Sequence, residues 1–300
     1  MTDLTQAVAP DITETAGPER TASLWGDAWR DLRRKPSFLV PAFLLLLIVS
    51  MAAVPWLWTR QDPRDCRIEL SKQGPSGAHP FGTNVLGCDY YAMSVHGARA
   101  SILVAVLATT GVVLVGGLLG VLGGYFGGWA DAGIGYFVNV FLALPLLLGA
   151  VVVLSILHSH SIWPLILALV LLGWGAMSRY MRSSVIAAKD MDYVQAARGL
   201  GAGHGRIVFR HILPNAIAPV MVIATVSLGA YVAAEATLTY LGVGLQPPTV
   251  SWGIMINQGQ DYIQEHPHLL LFPSLFLVVT VLSFILLGDA LRDALDPKLR

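Results

Sequence analysis

Charged residues are scarce in this sequence, and their scarcity excludes an ordinary soluble domain. Asp, Glu, Lys and Arg make up 13% of the 300 residues, about half of the share that soluble domains carry. Apolar residues make up 55%, and the mean hydropathy is +0.63. The charges avoid several apolar runs that are longer than a soluble core needs but suit a bilayer. The sequence therefore predicts an all-α, polytopic membrane protein.

The residue patterns of enzymes are missing as well. The sequence has no Gly-x-x-x-x-Gly-Lys-Ser/Thr loop for nucleotide phosphates, and no nucleophile elbow, paired carboxylates or metal motif. Its histidine pairs, His158/His160 and His266/His268, offer two ligands each, which is fewer than a metal site needs. We expect no catalytic residue, no metal site and no nucleic acid partner. The chain shows no energy source of its own.

Six apolar runs are long enough to cross a bilayer as helices, which takes about 20 residues each. They are Pro36–Trp58, Arg99–Phe126, Gly133–His158, Ile162–Met181, Ala216–Leu241 and Leu269–Leu291. Four prolines inside several of these runs predict kinks, which membrane helices tolerate when neighbours satisfy the freed carbonyls. These are Pro145, Pro164, Pro219 and Pro273. We interpret residues 1–35 as a polar leader and 36–300 as the transmembrane domain, because the first run is too long for a cleaved signal peptide, the alternative.

The distribution of Lys and Arg predicts the orientation, because these residues are enriched in cytoplasmic loops. With a cytoplasmic N-terminus, fourteen of the nineteen fall inside. They are Arg20, Arg30, Arg33, Arg34, Lys35, Arg179, Arg182, Lys189, Arg198, Arg206, Arg210, Arg292, Lys298 and Arg300. The other five, Arg60, Arg64, Arg67, Lys72 and Arg99, fall outside. We therefore expect both termini in the cytoplasm, and two long outer segments, 59–98 and 242–268, on which soluble partners can dock.

The cytoplasmic loop between spans four and five, about residues 182–213, is predicted to hold two short helices. Asp190 or Asp192 would cap the first by accepting the free amide hydrogens of its first turn. The residues that share one face of this helix at helical spacing are Tyr193, Ala197 and Leu200. Glycines would end it in a left-handed cap; they are Gly199, Gly201 and Gly203. A second helix with Ile207 and Phe209 would lead into Pro214 and span five.

The residue types on this loop favour contact with another protein. Ala196 and Ala197 have small side chains, which let another backbone approach closely. Arg198 and Arg206 can bind an acidic groove, since opposite charges orient protein partners. A loop that packs only against its own spans is the alternative that these residues leave open.

The loop resembles the EAA loop of permease subunits in ABC importers. That pattern is Glu-Ala-Ala, three residues, Gly, nine residues, Ile, one residue, Leu-Pro. Here Gln195-Ala196-Ala197 stands for the first element, Gly201 for the glycine and Leu213-Pro214 for the end. Gln195 replaces the glutamate and His211 replaces the isoleucine, so the family's charge is missing at position 195 while the spacing is intact.

Further stretches resemble the peptide/nickel branch of these permeases, and the likeness covers residues 24–300. They are Phe81–Gly87, Gly124–Trp129, Arg210–Asn215, Ala234–Gly242, Gln246–Pro248, Ser251–Gly253 and Gly288–Pro297. The resemblance implies a type I ABC importer permease fold in the plasma (inner) membrane of a prokaryote. It also implies that the chain forms half of a translocation pathway for di- or oligopeptides, with nickel chelates or another solute as alternatives.

The partners that the resemblance implies are a second homologous permease subunit, two cytoplasmic ATPase subunits and an extracytoplasmic solute-binding protein. ATP and Mg would be bound by the ATPases, so this chain would need no cofactor and would be a transport subunit, not an enzyme. The loop would couple the ATPases to the spans. The ATPase-coupling residues would be Tyr193, Gln195, Ala196, Ala197, Arg198, Leu200, Gly201 and Arg206.

Glu235 is the only acidic residue deep in a predicted span. A charge at the centre of a membrane helix costs roughly 2.5–3.5 kcal/mol on insertion scales, so we expect Glu235 to be protonated, paired or in contact with water. It is either a proton relay or pathway residue, or a buried hydrogen-bonding residue that holds helices together. The first role belongs to the alternative function, a proton-coupled secondary transporter of small solutes.

The only cysteines, Cys66 and Cys88, fall in the same outer segment. Disulfides persist outside the cytoplasm, so the two can form a bond there. The resemblance adds that Cys88 stands where the family's motif more often has arginine, which favours pairing with Cys66.

Overall fold

The computed structural model describes residues 24–295, apart from the side chains of residues 24, 25, 27 and 28. Most of the predicted leader and the last five residues lie outside this range. The same holds for Arg20, Lys298 and Arg300 of the orientation argument and for Asp296-Pro297 of the terminal motif.

The described residues form helices and no β-strand, which confirms the all-α prediction. The helices are α1 (Leu24–Leu32), α2 (Pro36–Ala53), α3 (Tyr90–Phe126), α4 (Gly128–Ala143), α5 (Leu146–Leu157), α6 (Ile162–Lys189), α7 (Asp192–Gly199), α8 (His204–Arg206), α9 (Leu213–Tyr240), α10 (Trp252–Gly259) and α11 (His268–Leu295). A π-helical turn, Ile207–Ile212, joins α8 to α9. Among the described residues, five helices are long and apolar enough to cross a membrane, or six if the bent pair α4–α5 counts as one span.

The second span begins at Tyr90, well before the predicted Arg99. Asp89 caps it by accepting a hydrogen bond of 2.7 Å from the amide of Ala92. Trp252 belongs to the outer segment 242–268, and its indole donates to the carbonyl of Ser94 at 3.0 Å. This segment therefore covers the part of α3 that precedes Arg99. A helix that packs against other parts of its own chain can extend past the hydrocarbon. Hydropathy alone does not predict such an extension.

The third predicted span is broken, not merely kinked. Helices α4 and α5 meet at 87°, where Leu144 takes an extended conformation before Pro145. Proline has no amide hydrogen for a continuing helix, and it disfavours the helical conformation in the residue before it. Pro145 therefore ends one helix and begins another.

The centre of the bundle is the contact between α3 and α6. Gly116, Gly120 and Gly124 lie along one side of α3, where a Cβ atom would meet the backbone of α6 at 2.5–3.0 Å. Small residues let membrane helices approach this closely. The two helices therefore form one tightly packed unit, on which α9, α2 and α4 also pack.

Gly120→Ala is expected to lower the midpoint of thermal unfolding in detergent. The added Cβ would lie 2.6 Å from the carbonyl oxygen of Ser178 and 2.7 Å from Cβ of Met181, and overpacking costs about 1–3 kcal/mol. Gly117→Ala is the matched control, because its Cβ would meet only the flexible end of Met181, at 3.6 Å. Size-exclusion chromatography after heating measures the midpoint of each variant. Equal midpoints for the two variants would contradict this packing.

Candidate functional site

The segment 190–203, which we call the elbow, links α6 to α8 and contains α7. Helix α7 is capped by Met191, whose side chain makes no capping hydrogen bond, and Asp192 is its first residue. The expectation that Asp190 or Asp192 caps this helix is therefore wrong. The carboxylate of Asp192 lies instead in the first turn, where it suits the positive end of the helix dipole.

The buried side of α7 consists of Val194 and Ala197, and the helix contacts α6 and the π-helical turn. The predicted face of Tyr193, Ala197 and Leu200 is divided in the structure. Tyr193 is half-exposed, and Leu200 is 89% exposed just after the last helical residue. Ala197 thus packs inside the chain, whereas Leu200 is an apolar side chain in open contact with solvent.

Gly201 ends α7 in the predicted left-handed conformation, with φ +81°. Its amide donates to the carbonyl of Arg198 at 2.9 Å, and the amide of Ala202 donates to the carbonyl of Ala197 at 3.0 Å. These two bonds form a Schellman motif, which satisfies the free carbonyls at a helix end. Gly199 is the last residue of α7 and Gly203 precedes α8.

The exposed surface of the elbow and of α8 carries most of the predicted coupling residues. Gln195, Ala196, Arg198 and Arg206 are exposed together with Leu200. The amide nitrogen of Gln195 donates to the carbonyl of Lys189, at 3.3 Å, within its own chain. Leu200 is thus an exposed apolar tip that lies between Arg198 and Arg206 in the sequence.

Tyr125, near the end of α3, attaches the elbow to the bundle. Its hydroxyl forms a hydrogen bond of 2.7 Å with Nδ1 of His204, and its carbonyl accepts one of 2.8 Å from Nζ of Lys189. The Arg198 guanidinium lies 6.0 Å from its ring centroid, a distance at which a cation is attracted to an aromatic face. Sequence reasoning assigned no role to Tyr125, and its place in the family-like stretch Gly124–Trp129 was the only signal.

Two polar links join α6 to α4 beside the elbow. Arg182 forms a two-pronged ion pair with Asp131, at 2.5 and 2.6 Å, and Arg179 donates to Asn139 at 2.6 Å. Paired bonds between arginine and a carboxylate fix geometry as well as charge. These bonds hold α4, the first half of the broken span, to α6, which leads directly into the elbow.

Glu235 in α9 is fully buried. The hydroxyls of Ser101 and Thr239 donate to its two oxygens at 2.7 and 3.1 Å, and Ser251 is a third hydrogen-bonding partner. Ser101 belongs to α3 and Ser251 caps α10, so Glu235 connects three elements. Among the described residues it forms no ion pair. This environment favours the structural role over the relay.

Glu235→Gln is expected to preserve solute uptake, because an amide still offers polar partners to the three hydroxyls. Glu235→Ala is expected to destabilise the chain by about 1–3 kcal/mol, since it leaves buried hydroxyls without partners. Uptake and thermal unfolding of both variants, against wild type, provide the test. A Glu235→Gln variant that is stable but inactive would favour the proton relay role instead.

The outer segment 59–98 is folded onto the bundle. Cys66 and Cys88 form a disulfide in the structure, and Nδ1 of His79 lies 2.7 Å from the Asp89 carboxylate. The hydroxyl of Tyr90 donates to the carbonyl of Leu269 at 2.5 Å. The described residues contain no cluster of three or more His, Cys, Asp or Glu that could hold a metal ion.

Comparison with known families and proteins adds a second line of information. Residues 116–300 match the family described as binding-protein-dependent transport system inner membrane component. Residues 23–75 match the N-terminal TM domain of oligopeptide transport permease C.

Among individual proteins, the chain is 35% identical to the dipeptide transport system permease protein DppC of Alkalihalophilus pseudofirmus, over 93% of this chain and 91% of that one. It is 35% identical to the oligopeptide transport system permease protein OppC of Bacillus subtilis, over 94% and 92%. It is also 35% identical to the glutathione transport system permease protein GsiD of Pectobacterium atrosepticum, over 92% of each chain.

One solved structure, the crystal structure of an amino acid ABC transporter with histidines, has the same fold. The TM-score is 0.50 at 17% identity, and the match covers 67% of this chain and 91% of that one. This likeness concerns the fold alone.

Proposed function

The chain belongs to the binding-protein-dependent transport system inner membrane component family, the membrane permeases of ABC importers, and from this premise we propose that it couples cytoplasmic ATPase subunits to a peptide pathway through the elbow. The observation that carries the proposal is the exposed apolar tip at Leu200, between Arg198 and Arg206, tied to α3 through Tyr125. An exposed leucine beside arginine side chains is suited to docking in a groove of another protein.

The elbow is connected to all three long helices at the centre of the bundle. It continues directly from α6, it leads through α8 into α9, and Tyr125 links it to α3. Closing and opening of two ATPases would move the elbow, and the close α3–α6 contact would carry that motion as a rigid body. Arg182 and Asp131 would pass it on to the broken span.

The break at Leu144–Pro145 supports a pathway or subunit contact. Both residues are exposed in this chain, and the break leaves backbone groups of two helix ends without helical partners. Such backbone is not tolerated against lipid, but it occurs where it is buried in protein or faces a water-filled cavity. We therefore place the second permease subunit, and the pathway between the two subunits, against this break.

The remaining assignments rest on the relatives and the charge pattern. We propose di- or oligopeptides as solutes, because relatives of 35% identity carry those names, with glutathione or nickel chelates as other solutes to test. A solute-binding protein would deliver them to the outer segments. The excess of Lys and Arg in the loop 182–213 and near α1 supports cytoplasmic termini. ATP and Mg would be held by the ATPase chains.

Affinity purification of the tagged chain, expressed with its neighbouring genes, tests this assembly. We expect a second permease and two ATPase polypeptides in the complex, together with ATP-dependent uptake of labelled dipeptides or longer peptides into cells. Uptake that is unchanged when the ATPase genes are deleted, and that collapses with an ionophore, would favour the proton-coupled alternative instead.

A further inference from the structure

A cavity of about 610 Å³ opens on the outer face, between the segment that follows α2, the outer end of α3 and the start of α6. We call it the outer cavity. Three arginines line it: Arg60, Arg64 and Arg99. They are three of the five basic residues that the charge pattern assigns to the outside.

The three guanidinium groups have no acidic partner within the described residues. Asp62, the acidic residue of the cavity lining, accepts a hydrogen bond of 2.9 Å from the backbone amide of Arg64. The guanidinium of Arg64 reaches only the carbonyl of Pro248, at 3.4 Å. Three arginines against one aspartate leave the lining of the cavity with a net positive charge, which attracts an anion.

The depth of the outer cavity corresponds to the lipid headgroups. Helix α2 runs for 18 residues, or ~27 Å at 1.5 Å per residue, which is close to the hydrocarbon thickness of about 30 Å. Arg60 follows shortly after its outer end. Arg99 is the last charged residue before the apolar part of α3, so we expect both arginines at the outer boundary of the hydrocarbon.

Part of the lining of the outer cavity is apolar. Trp56 and Ile162 line it beside Leu103, and tryptophan is enriched at this depth of a bilayer. Below the cavity, Leu103, Val106 and Leu114 form an exposed apolar stripe on α3 that continues into the hydrocarbon. A site with cations at the headgroup level and an apolar stripe beneath suits an amphiphile with a negative head.

We propose that the outer cavity binds an anionic phospholipid of the outer leaflet. Its phosphate contacts Arg60, Arg64 and Arg99, because guanidinium groups bind phosphate through paired hydrogen bonds. One acyl chain lies along the stripe on α3. The carboxylate of a transported peptide would satisfy the arginines but would make no use of the apolar stripe, so the lipid fits more of the site. This proposal does not depend on the coupling function of the elbow.

The test is native mass spectrometry of the full-length chain in detergent, titrated with phosphatidylglycerol or with phosphatidylcholine of the same acyl chains. We expect wild type to bind phosphatidylglycerol roughly tenfold more tightly, and Arg99→Gln to lose most of that preference, as expected for a lost charge-assisted bond. Arg67→Gln is the matched control, because Arg67 is an exposed outer arginine that does not line the cavity.

Two results would overturn the proposal. One is the same lipid preference in wild type and in Arg99→Gln, with both proteins unfolding at the same temperature. The other is complete displacement of phosphatidylglycerol by a millimolar dipeptide, which would make the outer cavity a peptide site.

Discussion

Leu200→Glu is expected to reduce ATP-dependent uptake at least tenfold and to release the ATPases from the purified complex. Leu200 is 89% exposed in the chain alone, so the substitution costs the folded permease little. Burial of a leucine in a partner's groove contributes about 1.5–3 kcal/mol, and a buried unpaired carboxylate costs more. Labelled peptide uptake and co-purification measure the two effects.

The control for Leu200→Glu is the same change on the other side of the membrane. Ile68 is also an exposed apolar residue, in the outer segment, and Ile68→Glu should leave the ATPase contact intact. Both variants should unfold at the temperature of wild type. A Leu200→Glu complex that retains its ATPases and transports normally would show that the elbow tip is not a docking surface.

Tyr125→Leu is expected to uncouple ATP hydrolysis from transport, so that each transported solute consumes many more ATP molecules. The change removes the hydroxyl bonded to His204 and the ring beside the cations of Lys189 and Arg198. A hydrogen bond contributes about 0.5–1.5 kcal/mol and a cation–ring contact about 0.5–2 kcal/mol. Together they predict a loss of roughly tenfold or more in uptake per ATP hydrolysed.

A graded series separates this positioning role from simple loss of structure. Tyr125→Phe removes only the hydroxyl and should give an intermediate ratio of uptake to hydrolysis. Tyr136→Leu is the matched control, because Tyr136 is exposed on α4, where its ring pairs with the neighbouring ring of Phe137. Equal ratios of uptake to ATP hydrolysis in all three variants and in wild type would show that Tyr125 has no role in coupling.

The parts of the structure that local sequence determines were predictable. Hydropathy located the spans because a bilayer requires a run of apolar residues, whatever they pack against. The left-handed cap at Gly201 was also predictable, because few other residues adopt that conformation without strain. Pro145 indicated a distortion for the same local reason.

Features set by distant contacts were not predictable in this way. The early start of α3 depends on Trp252, which is distant in sequence from Tyr90. The 87° angle at Pro145 is set by packing, since proline alone fixes only that the helix is interrupted. Helix α10 lies in the outer segment 242–268, which carries no membrane-length apolar run, and it went unpredicted.

The elbow also combines features that local sequence predicts with features that depend on distant contacts. The family resemblance proposes the coupling residues, but their spacing does not show which of them face inward. Val194, not Tyr193, is buried in the chain. The link between Tyr125 and His204 joins residues 79 positions apart, and no periodic pattern records such a pair.

Reconstitution into sealed vesicles tests the central claim most directly. This chain and its second permease would be incorporated with or without the ATPase subunits, with the solute-binding protein and labelled peptide outside and ATP inside. The account predicts accumulation only when the ATPases and ATP are both present. Accumulation by the permease chains alone, driven by an imposed proton gradient, would contradict it.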